Sequence, residues 1–78
     1  MKEQESNWIE APMRIGKWLY VTVAEEGQTK DIVVNTEAIT LMEPNEEDNH
    51  CEIGILRGDG TCAELHLAHD FYEIVGLL

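Results

Sequence analysis

The chain has 78 residues, 16 of them acidic and five basic, which gives a formal net charge of −11. This charge repels phosphate backbones and anionic lipid and so disfavours direct binding to nucleic acid or membranes. An apolar fraction of 44% is typical of a folded chain, but the length allows only one domain with a small core.

The N-terminal part is polar, and no apolar run approaches the ~20 residues that span a bilayer. Residues 1–10 show no periodicity, and we expect a flexible tail that only Trp8 and Ile9 could anchor. Because this tail also lacks the apolar core of a signal peptide, we expect a cytoplasmic protein. The single domain is then expected to cover residues 11–78.

Residues 17–24 are rich in aromatic and β-branched side chains, which predicts a first strand. Alternation separates a core set from an outward set, namely Leu19, Val21 and Val23 against Trp18, Tyr20 and Thr22. A turn with Gly27 at positive φ leads into a second strand over residues 29–35. After a bend at 35–37, residues 38–43 predict a third strand with Ile39 and Leu41 facing inward, followed by an acidic loop over 44–50.

Residues 51–67 predict a central hairpin, because two runs with alternating apolar residues flank Gly58-Asp59-Gly60. A three-residue loop with Gly60 left-handed sets the register. The apolar face then pairs Ile55 with Ala63, Ile53 with Leu65, and Cys51 with Leu67. The other face pairs Leu56 with Cys62, Gly54 with Glu64, and Glu52 with His66. In this register the two cysteines lie ~17 Å apart along the strand, too far for a disulfide, so both are expected to be free thiols.

The period changes after Leu67, where Asp70 and Glu73 have the spacing of a helix capping box. One helical face follows, formed by Phe71, Ile74, Val75 and Leu78. The predicted fold is therefore mainly β, a small five-stranded antiparallel SH3-like barrel or curled sheet with a short C-terminal helix.

Three segments resemble small bacterial proteins of the FlbD type, which are encoded in flagellar operons and related to the swarming protein SwrD. Residues 32–43 resemble the "VNxxxI" segment of that family, and Ile53, Ile55, Gly58-Asp59-Gly60 and Leu67 look like its "T-x-I-x-L-x-(N/D)-G" segment. Residues 70–74 resemble its "S-x-E-E-I" helix start. The resemblance covers about residues 19–78 and implies an SH3-like barrel or curled sheet. It includes no functional residue, so it implies no motility role.

A metal site is one functional hypothesis, because the predicted register places His50, Glu52 and His66 on one face of the hairpin. His69 or Asp70 could supply a fourth ligand. The alternative is a solvated Glu–His pair on an acidic protein, and we predict no cofactor.

A protein-binding surface is the other hypothesis. Trp18 and Tyr20 face outward together and could contact a partner, or the N-terminal segment could fold back over them through Trp8. Acidic clusters could meet a basic partner or serve only solubility; they contain Glu25, Glu26, Glu46, Glu47 and Asp48.

Catalysis by a thiol is not expected, since Cys62 lies opposite Leu56 and beside Glu64 without a neighbouring base. The sequence therefore predicts a non-enzymatic acidic interaction module of bacterial or phage type, with dimerisation to cover its sheet edges. A sharper version is an inhibitor that occupies the basic, nucleic-acid-binding surface of another protein. The rival prediction is a small-ligand or metal-binding module built on His50, Glu52 and His66.

Overall fold

A computed structural model describes Trp8 and residues 11–78; apart from Trp8, the predicted N-terminal tail lies outside the described residues. The secondary structure consists of six strands, a short 3-10 turn at Thr36–Ala38 and one helix. The elements are β1 (Met13–Ile15), β2 (Trp18–Glu25), β3 (Gln28–Asn35), β4 (Ile39–Pro44), β5 (His50–Leu56), β6 (Cys62–Asp70) and α1 (Phe71–Val75). The predicted mainly-β fold with a short C-terminal helix is confirmed. The additional strand is β1, which lies before the first predicted strand.

All strand pairs are antiparallel, and β2 and β6 connect the two halves of the sheet. The order is β1-β2-β6-β5-β4, and β3 also pairs with β2. Because β3 occupies one edge of β2 along its whole length, β1 and β6 share the opposite edge. Among the described strands the sheet is not closed, so the fold is a curled sheet rather than a complete barrel.

The β2–β3 hairpin has a two-residue turn between the paired residues Glu25 and Gln28. Gly27 has φ +79° as predicted, and Glu26 is also left-handed with φ +52°. Two successive left-handed residues match the right-handed twist of the flanking strands. This turn therefore requires an unusual backbone conformation at a glutamate.

The register of the β5–β6 hairpin agrees with the prediction from Glu52–His66 to Leu56–Cys62, and Gly60 is left-handed with φ +90°. Only the predicted pair Cys51–Leu67 is wrong. The register shifts between His50 and Glu52, so that His50 lies opposite Asp70. The physical reason is that β6 has three residues between these two pairs where β5 has one, so β6 bulges, and Leu67 within the bulge pairs with Val23 of β2.

The core lies inside the curl and is small, as expected for a short chain. The predicted inward residues of β2 are all buried, and β5, β6 and α1 contribute most of the others. The buried apolar side chains are Leu19, Val21, Val23, Val34, Cys51, Ile53, Leu67 and Ile74.

Leu41 does not point inward as predicted. The pairing of β4 with β5 shifts between Ile39 and Leu41, and this irregularity reverses the alternation downstream. Leu41 is consequently 48% exposed, and Met42 packs against the core instead.

Thr22 also departs from the prediction, because it lies on the outward side of β2 and is nevertheless fully buried. Its backbone N–H donates to Nε2 of His69 at 2.9 Å, and its hydroxyl donates to Asp31 at 2.8 Å. An imidazole therefore accepts a backbone hydrogen bond where β6 meets β2.

Helix α1 is short and is fixed at its N-terminus. The Asp70 carboxylate accepts from the Tyr72 N–H at 3.0 Å, which confirms Asp70 as the N-cap. Asn49 adds two contacts, a carbonyl that accepts from the Phe71 N–H and a side-chain amide that donates to Asp70. Within the described residues, no helix has the length and apolarity to cross a bilayer.

Candidate interaction surface

One side of the β1–β2–β3 ribbon faces away from the core, and we call it the outer face. Its members follow from the register, because directly paired residues and residues two apart share a side of a sheet. The outer face contains Met13, Ile15, Trp18, Tyr20, Thr22, Ala24, Thr29, Asp31, Val33 and Asn35.

Large apolar side chains are exposed together at one end of the outer face. The exposed fraction is 40% for Met13, 58% for Ile15, 43% for Trp18 and 47% for Val33. These residues come from three neighbouring strands, so they form a contiguous patch rather than scattered exposures. Contiguous apolar patches of this kind mark interaction sites on soluble proteins.

The two predicted aromatic residues have different surroundings. Trp8 packs edge-on against Tyr20 with ring centroids 5.3 Å apart, so the N-terminal segment contacts part of the outer face. Trp18 remains substantially exposed and carries the Lys17 ammonium 5.3 Å from its ring centroid. Trp8 therefore contacts one of the two predicted rings, whereas the ring of Trp18 is exposed, and the role of Trp18 and Tyr20 in partner binding stays a prediction.

The outer face carries a single carboxylate, that of Asp31, although the chain has 16 acidic residues. Asp31 is half-buried and already accepts the Thr22 hydroxyl. Depletion of charge with enrichment of aromatic residues and methionine is characteristic of the centre of protein interfaces. Composition and exposure thus single out the same surface.

The predicted acidic residues do not lie on this patch. Glu25 and Glu26 form the β2–β3 turn, whereas Trp18 begins β2 at the other end, ~23 Å away at ~3.3 Å per residue. Glu46 and Glu47 are exposed in the loop between β4 and β5. The residues that the sequence suggested for one partner surface therefore divide between an apolar patch and separate acidic turns.

The loop between β4 and β5 is organised by Asn45, whose side-chain oxygen accepts from the backbone N–H groups of Glu47 and Asp48. Asp48 in turn accepts from the His50 N–H at 3.0 Å. That hydrogen bond, together with the electrostatic influence of His50 and His66, lowers the pKa of the Asp48 carboxyl against a smaller opposing effect of desolvation.

Of the predicted metal ligands, His50 and His66 do come together, with ring centroids 5.6 Å apart. Glu52 lies 3.2 Å from Nδ1 of His66, on the far side of that ring from Asp48. Asp48 contacts both imidazoles, although the sequence analysis assigned it only to partner binding. The spacing Asp48-x-His50 before a strand was the available signal for it.

The proposed fourth ligands are engaged elsewhere. His69 is 1% exposed and accepts the Thr22 N–H, while Asp70 caps α1. Their place in a metal site is therefore not supported by the geometry.

The two cysteines behave as predicted in that neither forms a disulfide. Cys51 is buried, and burial together with the nearby Glu52 charge raises the pKa of its thiol to about 11. Cys62 is exposed at the start of β6.

No family model, curated protein or solved structure matches this chain. The resemblance to FlbD-type proteins stays a prediction, and the functional argument depends on the surfaces described above.

Proposed function

We propose that the protein is a non-enzymatic acidic interaction module that self-associates through its outer face and presents its acidic turns to a basic partner protein. The observation that carries the proposal is the exposed patch of Met13, Ile15, Trp18 and Val33 on a face with one carboxylate. The protein needs no cofactor for this role.

A second copy is the occupant that best fits the outer face. Two copies related by a two-fold axis would place the same apolar patch against itself, and their many acids would remain outside the contact. The two eight-residue strands and the three-residue β1 present roughly 300 Å² per copy, or about 600 Å² over both copies, below the ~1,200–2,000 Å² of stable interfaces. We therefore expect a weak dimer whose population depends on concentration.

The acidic turns fit a basic surface. Glu25 and Glu26 at one turn and Glu46 and Glu47 at another are exposed and stay available in such a dimer. A partner with a basic nucleic-acid-binding groove offers complementary charge, and occupation of that groove would make the protein an inhibitor.

Sedimentation equilibrium over a range of protein concentrations tests the self-association. We expect the wild type to dimerise and Trp18→Ala and Val33→Ser to shift the equilibrium to monomer. Leu56→Ser is the matched control, because Leu56 is 50% exposed on β5, outside the outer face. A wild type that is monomeric throughout, or a Leu56 variant that dissociates equally, would refute the dimer.

Ionic strength separates the two parts of the proposal. Raising salt from ~0.1 to ~1 M shortens the Debye length from ~10 to ~3 Å. Self-association should strengthen, because salt screens the repulsion between two chains of charge −11. A basic protein from the native host that binds the immobilised chain should elute in ~1 M salt. It should elute at lower salt from a variant that combines four substitutions, namely Glu25→Gln, Glu26→Gln, Glu46→Gln and Glu47→Gln. Retention in ~1 M salt would refute the electrostatic mode.

A further inference from the structure

Two imidazoles and a carboxylate converge beside the β5–β6 hairpin. Oδ2 of Asp48 lies 3.4 Å from Nδ1 of His50 and 3.2 Å from Nε2 of His66. The three ligating atoms all lie within 4.8 Å of one another. Each side chain is between 29% and 43% exposed, although Nδ1 of His50 itself is shielded from solvent.

The contacts of the His66 ring with two carboxylates favour a cation beside this ring. Its two ring nitrogens lie 3.2 Å from carboxylate oxygens, Nδ1 from Glu52 and Nε2 from Asp48. A neutral imidazole has only one N–H, so at one of these contacts two lone pairs would face each other. Either a second proton or a metal ion at Nε2 removes this repulsion.

His50 shows a related feature. Within the described residues, its Nδ1 is shielded from solvent and makes no hydrogen bond, although Asp48 lies close by. Buried ring nitrogens ordinarily have a partner. A ligand placed between His50 and Asp48 would supply one.

The side chains around His66 are arranged as in known metal sites. The Asn45 amide donates to Oε2 of Glu52 at 2.8 Å, and the same oxygen faces Nδ1 of His66. A histidine ligand commonly donates its remote N–H to a carboxylate, which orients the ring and increases its basicity. Glu52, which the sequence suggested as a ligand, therefore has the position of an orienting residue.

We propose that Nδ1 of His50, Nε2 of His66 and a carboxylate oxygen of Asp48 bind one divalent transition-metal ion, with zinc as the reference ion. Tetrahedral zinc with bonds of ~2.0–2.1 Å requires ligand atoms ~3.3 Å apart, which matches both contacts of Asp48. The histidine nitrogens of this group lie within 4.8 Å of each other and would have to approach to the same separation when the ion binds. Nitrogen ligands favour zinc, nickel or copper over calcium and magnesium, and water completes the coordination.

This site is independent of the outer face, since none of its residues belongs to that surface. The ion would join the loop between β4 and β5 to β6, and its binding would stabilise the folded chain by mass action.

Isothermal titration with zinc chloride tests the site, in a Cys62→Ser background that removes the exposed thiol as a competing ligand. We expect one ion per chain, with Glu52→Gln weakening affinity ~10–100-fold and His66→Ala and Asp48→Asn weakening it more. Asp59→Asn is the matched control, because Asp59 also accepts hydrogen bonds within an exposed turn and has no histidine contact in the structure.

NMR of the imidazole ring protons keeps the test decisive if a variant folds poorly. Zinc should shift the resonances of His50 and His66 in the otherwise unaltered chain and leave the buried His69 unchanged. Absence of zinc binding, equal binding by the Asp48→Asn and Asp59→Asn variants, or binding lost with the Cys62 thiol alone would overturn the proposal.

Discussion

Each half of the curled sheet contains a hairpin held by a regular ladder of paired residues. The two halves are joined to each other in a different way. Within the β5–β6 hairpin, a regular ladder runs from Glu52–His66 to Leu56–Cys62. At the junction of β6 with β2, one ladder pair, Val23–Leu67, is accompanied by a hydrogen bond from the Thr22 backbone N–H to Nε2 of His69. Strand pairing within the β5–β6 hairpin thus depends on the alternation of apolar residues and on the turn. The junction between β2 and β6 depends on the buried imidazole of His69.

Three neighbouring residues of β6 contact different parts of the sheet. His66 lies in the polar cluster with Asp48, Leu67 is buried in the core and pairs with β2, and His69 completes the junction. A change at the junction should therefore affect the global stability of the fold, while a change at His66 should affect only the cluster.

The largest effect is expected at His69. His69→Ala removes the acceptor of the buried Thr22 N–H and leaves a cavity, which should lower the free energy of unfolding by about 3 kcal/mol. His66→Ala, at a partly exposed ring of the same strand, should cost less than about 1 kcal/mol. Urea denaturation of both variants measures the difference, and equal losses would mean that the junction does not depend on His69.

An alkaline pH series examines the core through Cys51, which is buried on β5. The pKa of this thiol is raised from 9.0 to about 11 by burial, so the folded state keeps a proton that the unfolded chain loses. Stability contributed in this way is intact below pH 9 and is lost as pH rises towards 11, by on the order of 2 kcal/mol.

Cys51→Ala supplies the control for that series, because other groups also titrate in alkali. Denaturation at each pH should show a steeper decline for the wild type than for this variant. Parallel declines would indicate that the Cys51 thiol is not the group responsible.

The hairpins were predicted well from the sequence because their strand register is set by residues that are close together in the chain. Alternation around Gly58-Asp59-Gly60 excludes a one-residue slip, since a slip would place Ile53 opposite Glu64. The shift at His50 was not predictable in the same way, because it arises where β6 pairs with a strand more than forty residues away, in the bond between Thr22 and His69.

The candidate sites were predicted in part for a similar reason. His50 and His66 were found because the predicted register placed them on one face of the hairpin, diagonal to each other, and Trp18 was found from the alternation of β2. The contact of Asp48 with both histidines was missed because the loop conformation that brings it to them is set by Asn45. The apolar patch was also incomplete in the sequence, since β1 with Met13 and Ile15 has no periodicity long enough to reveal a strand.

A smaller effect is expected at the turn of the β5–β6 hairpin. Gly60 has φ +90°, a conformation that other residues rarely adopt, so Gly60→Ala should cost about 1 kcal/mol or more. Gly58→Ala is a close control, because Gly58 lies in the same loop with open space around it and without a positive φ. Thermal unfolding measures the stability of both variants. Equal losses for Gly60→Ala and Gly58→Ala would contradict a loop in which Gly60 alone has a positive φ.

The smallest effect is expected at Leu41 and tests the irregularity in β4. Because the register shift turns this side chain to solvent, Leu41→Ser should change the free energy of unfolding by no more than about 0.5 kcal/mol. Met42→Ala should cost about 2 kcal/mol, since Met42 packs against the core in its place. Uninterrupted alternation from Ile39 would reverse this ranking, so chemical denaturation of the two variants distinguishes a bulged strand from a regular one.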